Sequence, residues 1–161
     1  MTAHITARPL TQAEFAPYGE VIEIEGPPDR IINQGKCGRY HDLARLDFGG
    51  GAAGISLFHA ELRQMPYLLN MVERHPLGSQ AFIPMSQSRF LVIVAGDAGG
   101  CPGPIHAFIA RAGQGVNLHR NVWHGVLCPL DGAGLYAVID RIGTGDNLQE
   151  HWLPEPVTVS I

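Results

Sequence analysis

Along most of the chain, apolar residues come in short runs of strand length, each bounded by Gly, Pro, Asp, Ser or Arg. The segments GISLFHAEL (54–62), YLLNMVERH (67–75), SQAFIPMS (79–86), RFLVIVAG (89–96), IHAFIARAG (105–113), VWHGVLCPL (122–130) and GLYAVIDRIG (134–143) are all of this kind. Their Val, Ile, Phe and Leu content suits a pleated, half-buried surface, and seven such runs at short spacing predict an all-β sandwich or barrel. FLVIVA (90–95) is apolar at every position and so needs cover on both faces. One face would meet the barrel interior and the other a second layer, for which another subunit is one source. A small barrel with apolar outward faces points to a homodimer. One short helix is expected in PLTQAEFAPYG, with Thr11 as N-cap, Glu14 completing a capping box and Gly19 as the stop. The Gly-rich stretches DFGGGAAG (47–54) and GDAGGCPGP (96–104) read as flexible hairpin connections. No internal repeat interrupts the pattern, and residues 1–161 read as one domain.

Composition narrows the chemistry. Hydrophobic residues at 45% and charged residues at 16% fit a soluble globule, and Gly (20) with Pro (12) supplies many turns. A formal charge of −4 offers no basic footprint for nucleic acid and no general attraction for an anion, so an anionic ligand needs a local arginine. Lys36 is the sole lysine beside ten arginines, which leaves little room for Schiff-base chemistry and favours bidentate capture of carboxylates. Cys37, Cys101 and Cys128 are odd in number and widely spaced, the usage of a reducing cytoplasm. No apolar run reaches the length of a membrane span, and MTAHITARPL has no apolar leader core.

Polar side chains converge in two places. If 72–75 is extended, Glu73 and His75 share a face. After a turn through Pro76–Gly78, Gln80 comes back on the neighbouring strand. A carboxylate, an imidazole and an amide at the mouth of an apolar barrel make a ligand site. The alternative is that Glu73 pairs with a surface arginine and His75 caps the turn. In NLHRNVWHGVL the two histidines are five residues apart, which points them away from each other on a helix or a strand. A turn at Arg120–Asn121 would put His119 at the rim and His124 on the face of Val122 and Val126, with Trp123 opposite. His124 is then either a fourth member of the site or a satisfied core histidine. In YAVID, Asp140 either orients a histidine or caps the turn beyond it. Asn33, Arg39, Tyr40 and His41 cluster in INQGKCGRYHDL, while His4, His59, His106 and His151 carry no spacing signal.

The blocks ERHPLGSQAFIPM, GVNLHRNVWHGVL and IDR with GDN, preceded by PLTQAEFAPYGEVIE and INQGKCGRYHDL, resemble the ureidoglycolate lyase family over nearly the whole chain. That resemblance implies a cupin-type β-barrel, a homodimer, and cleavage of (S)-ureidoglycolate to glyoxylate and urea in allantoin (purine) catabolism. Against the cupin pattern, Glu73 stands where the first histidine of the first motif would be. His75 takes the place of the second, Gln80 lies near the glutamate position, and His124 falls in the second motif. Loss of one imidazole and of one carboxylate weakens the usual metal site. Glu73, His75 and His124 could still hold a divalent ion such as nickel.

The implied reaction needs a base for a hydroxyl proton and an acid for a departing nitrogen, and no covalent nucleophile. His75 and His124 are the expected pair, with Glu73 setting charge or tautomer and Gln80 donating to an oxygen of the substrate. One of Arg39, Arg74, Arg120 or Arg141 would hold the substrate carboxylate. Three other readings stay open. They are a metal-dependent cupin oxygenase or isomerase, a non-catalytic carboxylate-binding module, and an amidohydrolase that releases ammonia from the same substrate.

Overall fold

The structure, a computed structural model, describes residues 3–161. Its strands in chain order are β1 (Ala3–Thr6), β2 (Arg8–Pro9), β3 (Gly19–Ile22), β4 (Arg30–Ile32), β5 (Cys37–Arg39), β6 (Ala52–Ala60), β7 (Tyr67–Arg74), β8 (Gln80–Pro84) and β9 (Phe90–Ala95). They continue with β10 (Asp97–Ala98), β11 (Cys101–Pro102), β12 (His106–Ala110), β13 (Gly115–Leu118), β14 (Trp123–His124), β15 (Cys128–Pro129), β16 (Gly134–Ile142) and β17 (Gln149–Ser160). The helix α1 spans Gln12–Phe15, and the Thr11 side chain accepts the backbone N–H of Glu14, the expected cap. The fold is all-β, as the pattern of apolar runs requires. No helix among the described residues is long and apolar enough to cross a membrane.

Two sheets carry the architecture. One runs β1-β17-β7-β14-β9-β12-β2, with β15 also on β9; the other runs β3-β13-β8-β16-β6. β1 and β2 are separated only by Ala7. Yet β1 pairs in parallel with β17 at one end of the first sheet, while β2 pairs in parallel with β12 at the other. The N-terminal segment therefore stitches the two ends together and closes that sheet into a barrel.

Two cores result. Leu91, Ile93 and Ala95 of β9 pack with Leu69, Trp123, Val157 and Val159 inside the closed sheet. Phe90, Val92 and Val94 pack with Phe15, Phe82, Val116, Tyr136 and Val138 between the two sheets. Both faces of FLVIVA are thus covered by this same chain. The second layer, for which another subunit was one expected source, is supplied from within. The reason is topological: closure brings β1, β7 and β17 around the face of β9 that the second sheet leaves free.

Three further differences from the sequence pattern have local causes. VWHGVLCPL is two short strands, because the chain leaves the sheet at Gly125, whose N–H reaches the Ile93 carbonyl. β13 escaped the pattern because Asn117 sits in its middle. That side chain is fully buried, with Nδ2 donating to Glu20 Oε2 and to the Arg45 carbonyl. β17 contains Pro154 and Pro156, which normally demote a strand. Here its register against β7 breaks between Trp152 and Val157, where they fall. The Gly-rich stretch 96–104 does hold the small hairpin β10–β11, whereas β6 already begins at Ala52 within the other. β4 and β5 pair only with each other, and all their residues are exposed, so they form an arm outside both cores.

Two buried groups generate tests. Tyr136 is fully buried with no hydrogen-bond partner for its hydroxyl among the described residues, and burial pushes its phenol up to about 12. A buried polar group left unpaired costs about 1–3 kcal/mol. Tyr136→Phe is therefore expected to raise the urea-unfolding free energy by about 1 kcal/mol; a loss of stability would show that the hydroxyl has a partner. Burial also pushes the Cys128 thiol up to about 11, so it carries less thiolate than an ordinary cysteine at any pH below that. Cys37 and Cys101 are exposed. A disulfide reagent at mildly alkaline pH should count these two thiols in native protein and the third only after unfolding.

Candidate functional site

The alternation of β7 and β14 builds one wall of the site. His124 lies opposite Glu73 in the ladder. Trp123 and Val72 turn into the closed-sheet core, so His124 and Glu73 face the space between the sheets. His75 follows directly after β7, the chain turns, and β8 returns with Gln80 at its start. Gly78 belongs in that turn, since a Cβ there would lie 2.9 Å from both Arg141 Cβ and the Asp47 carbonyl oxygen. β16 runs beside β8 with Asp140 opposite Gln80. Asn121, at φ 66°, makes the turn before β14, and its N–H donates to the His75 carbonyl at 3.1 Å. His119 stays before that turn, half exposed, against Glu20 at 2.8 Å. The division of NLHRNVWHGVL into a rim histidine and an inward histidine is the one its spacing predicts.

A hydrogen-bonded chain orders the polar groups. Gln80 Nε2 donates to Asp140 Oδ2 at 3.1 Å, which fixes the amide with its oxygen toward His75. His75 Nε2 is 3.0 Å from that Gln80 Oε1, and His75 Nδ1 is 2.7 Å from the Asn147 carbonyl oxygen. Both neighbours are oxygen acceptors, so the His75 ring is held between two groups that receive protons. Asp140 thus takes the orienting role, through Gln80.

His124 is the opposite case. Its Nδ1 donates to the Gly125 carbonyl at 3.0 Å, which leaves Nε2 as a lone pair, and that atom is buried with no partner. Burial lowers the His124 pKa to about 4; the positive charge of His75 pushes the same way, and the Gly125 carbonyl pushes back. His124 is therefore a neutral imidazole near neutral pH. The two rings are 5.2 Å apart. Burial raises the Glu73 pKa; His75 opposes this and Glu150 adds to it.

One oxygen of Glu73 and one nitrogen each of His75 and His124 lie within 4.8 Å of one another. Two imidazoles and a carboxylate at that spacing, with an unpartnered nitrogen on His124, fit a divalent cation. His75 Nε2 would have to give up Gln80 to serve.

Glu73 and His124 open into a cavity of about 610 Å³, within the range of small-molecule sites, while His75, bonded to Gln80, is not part of its wall. Its wall includes Glu73, Gln80 and His124, together with Phe58, Phe82 and Arg63. None of Arg39, Arg74, Arg120 and Arg141 lines it. Arg74 points to the other side of β7, pairing with Asp97 at 2.8 Å and lying over the Trp123 ring. Arg120 pairs with Asp47 at 2.8 Å. Arg141 follows the inward Asp140, so it faces outward, where Gly51, Gly78 and Gly143 pack around its side chain. Arg39 is on the exposed arm. Sequence reasoning passed over Arg63 and also His59, which lines the cavity as well. Both lie in or just after HAEL, a stretch with no motif spacing.

With this geometry in view, comparison with known proteins is informative. A family model described as ureidoglycolate lyase matches residues 2–160. The chain is 60% identical over 152 residues to "Ureidoglycolate lyase" of Rhodobacter capsulatus, covering 94% of each protein. It is 53% identical over 154 residues to "Ureidoglycolate lyase 2" of Rhizobium meliloti, again covering 94% of each. Against "Ureidoglycolate lyase" of a Chelativorans species it is 49% identical over 159 residues, covering 98% of this chain and 96% of that one. A match of this length and identity places the chain in the ureidoglycolate lyase family.

Proposed function

We propose that the protein is a carbon–nitrogen lyase that cleaves (S)-ureidoglycolate to glyoxylate and urea, in the breakdown of purines through allantoin. The observation that carries the chemistry is the unlike pair of imidazoles, one with a bare buried nitrogen and one held between two oxygen acceptors.

The substrate carbon bears a hydroxyl, a carboxylate and a ureido nitrogen. His124 Nε2 takes the hydroxyl proton, the O–H electron pair becomes the C=O of glyoxylate, and the C–N pair leaves on the nitrogen. His75 protonates that nitrogen from Nε2, and urea departs. Overall one proton leaves oxygen and one arrives on nitrogen, with no water consumed. Proton transfers of this kind contribute about 10²–10⁴-fold each. Gln80, fixed by Asp140, holds the His75 ring in place, and His75 Nε2 exchanges the Gln80 oxygen for the substrate nitrogen as it donates; Glu73 stabilises the positive charge that His124 gains as base. The neutral state of His124 near neutral pH suits it to be the base.

Glu73, His75 and His124 would also hold a divalent ion such as nickel. When bound, such an ion would polarise the substrate hydroxyl and lower its pKa. Metal content of freshly purified enzyme, and activity after chelation, separate the two uses of the triad.

Replacing His124 with Ala should leave the β fold intact by circular dichroism and reduce release of both glyoxylate and urea by at least about 10²-fold. Near-wild-type turnover would remove His124 from the mechanism. Measuring ammonia beside urea tests the reaction class, since a hydrolase acting on this substrate would release ammonia.

A homodimer in the cytoplasm completes the proposal. The three cysteines are free, in keeping with a reducing compartment. Support for self-association comes from β6, the edge strand of the second sheet, whose outward Ile55 and Leu57 are 76% and 64% exposed. Sedimentation should give a species of twice 17.4 kDa, and Leu57→Glu should shift it toward the monomer. A wild-type monomer at micromolar concentration would overturn this part.

A further inference from the structure

Carboxylates stand in the wall of this cavity, where an anionic substrate would bind. Glu61 and Glu73 both line it, and the protein as a whole carries a formal charge of −4. A cation has to face the substrate carboxylate, and the candidates can be counted. Of the ten arginines, Arg8, Arg74, Arg89, Arg111 and Arg120 are each committed to an acidic partner. Arg30, Arg39 and Arg45 lie on the exposed arm or the segment that returns from it, and Arg141 is packed among glycines on the outward face. Lys36 is at the tip of the arm, between β4 and β5. Arg63 remains. It makes no ion pair among the described residues, and it lines the cavity.

Its placement is built. The Arg63 backbone N–H donates to the Pro129 carbonyl at 3.1 Å, which pins the β6–β7 connection to β15. The cavity wall runs from His124 through Gly125, Val126 and Leu127, and Cys128 follows next in β15. So the wall has a neutral base near one end and a free guanidinium near the other. Glu73, opposite His124, repels a carboxylate from the base end.

We infer that Arg63 is the carboxylate anchor of the cavity, a specificity-determining residue that binds the anionic end of the substrate and so turns its carbinol hydroxyl toward His124. The inference rests on the lyase reading for the identity of the substrate, but the anchor itself requires only a small carboxylate. A planar guanidinium can grip both carboxylate oxygens, and such charge-assisted pairs are the strong hydrogen bonds of a site.

The test uses Arg63→Met and Arg63→Lys in the full-length protein. The Arg63 side chain is exposed and donates no hydrogen bond among the described residues, so both variants are expected to keep the wild-type circular dichroism. With ureidoglycolate, R63M is expected to raise KM by about 30-fold or more, with R63K intermediate. With N-(hydroxymethyl)urea, which has the same hydroxyl and ureido groups but no carboxylate, R63M and wild type are expected to release urea equally well. An unchanged KM for ureidoglycolate in R63M, or an equal loss on both compounds, overturns the anchor. Calorimetric binding of glyoxylate separates the two levels of the claim. If wild type fails to cleave ureidoglycolate yet binds glyoxylate through Arg63, the lyase reading falls and the anchor stands. If R63M binds glyoxylate as wild type does, the anchor falls.

Discussion

β9 has to be covered twice, and most of the architecture follows from that requirement. A strand with six buried positions cannot be the wall of a single-layered barrel facing water. The chain meets the demand by closing one sheet over Leu91, Ile93 and Ala95, and by laying a second sheet over Phe90, Val92 and Val94. In the closed sheet β14 lies beside β9, and β7 lies beside β14. Their outward residues are therefore inward residues of the space between the sheets. A histidine and a glutamate can be held there against an apolar floor because the floor is anchored from behind.

Within that space the deciding element is the Gln80 amide. An amide donates at one end and accepts at the other, so it carries the polarity of the Asp140 carboxylate across to His75. The carboxylate orients the amide, the amide presents its oxygen to the imidazole, and the two histidines meet different hydrogen-bond surroundings although they sit 5.2 Å apart. A glutamate at position 80 would accept at both ends and could not transmit this order while ionised. The departure from the usual cupin residue there is consistent with acid–base work.

The sequence made much of this legible, for physical reasons. Glu73, His75 and Gln80 could be joined because strand alternation and a Pro–Leu–Gly turn leave few ways to arrange them. His124 could be separated from His119 because Asn121 accepts a positive φ. Asp140 was readable as far as a choice between two roles, which only the contact with Gln80 decides. The arginines were not readable. Whether Arg74 or Arg63 reaches the cavity depends on which acidic side chain each meets, and Asp97 lies 23 residues away from Arg74 in the chain. β13 and β17 were hidden for a similar reason, since Asn117 is tolerated only through partners at Glu20 and Arg45, and the prolines only at a break in register. The two cores were legible as a need for cover on both sides of β9, but not as closure of one sheet by its own N-terminal segment.

That closure sets a condition on how the molecule is made. β1 pairs with β17 through contacts such as Ala3 with Val157 and Thr6 with Ser160, close to the greatest sequence separation the chain allows. Contacts of such range form late, because a long loop has to be ordered before they are gained. A nascent chain emerging from the ribosome can assemble β6 to β16 but has no partner for β1 until residues 157–160 have left the exit tunnel. Until then the Leu91 and Ile93 face of β9 lacks the cover of Ala7, Val157 and Val159, and a stalled or truncated product leaves that core open on one side to quality-control machinery.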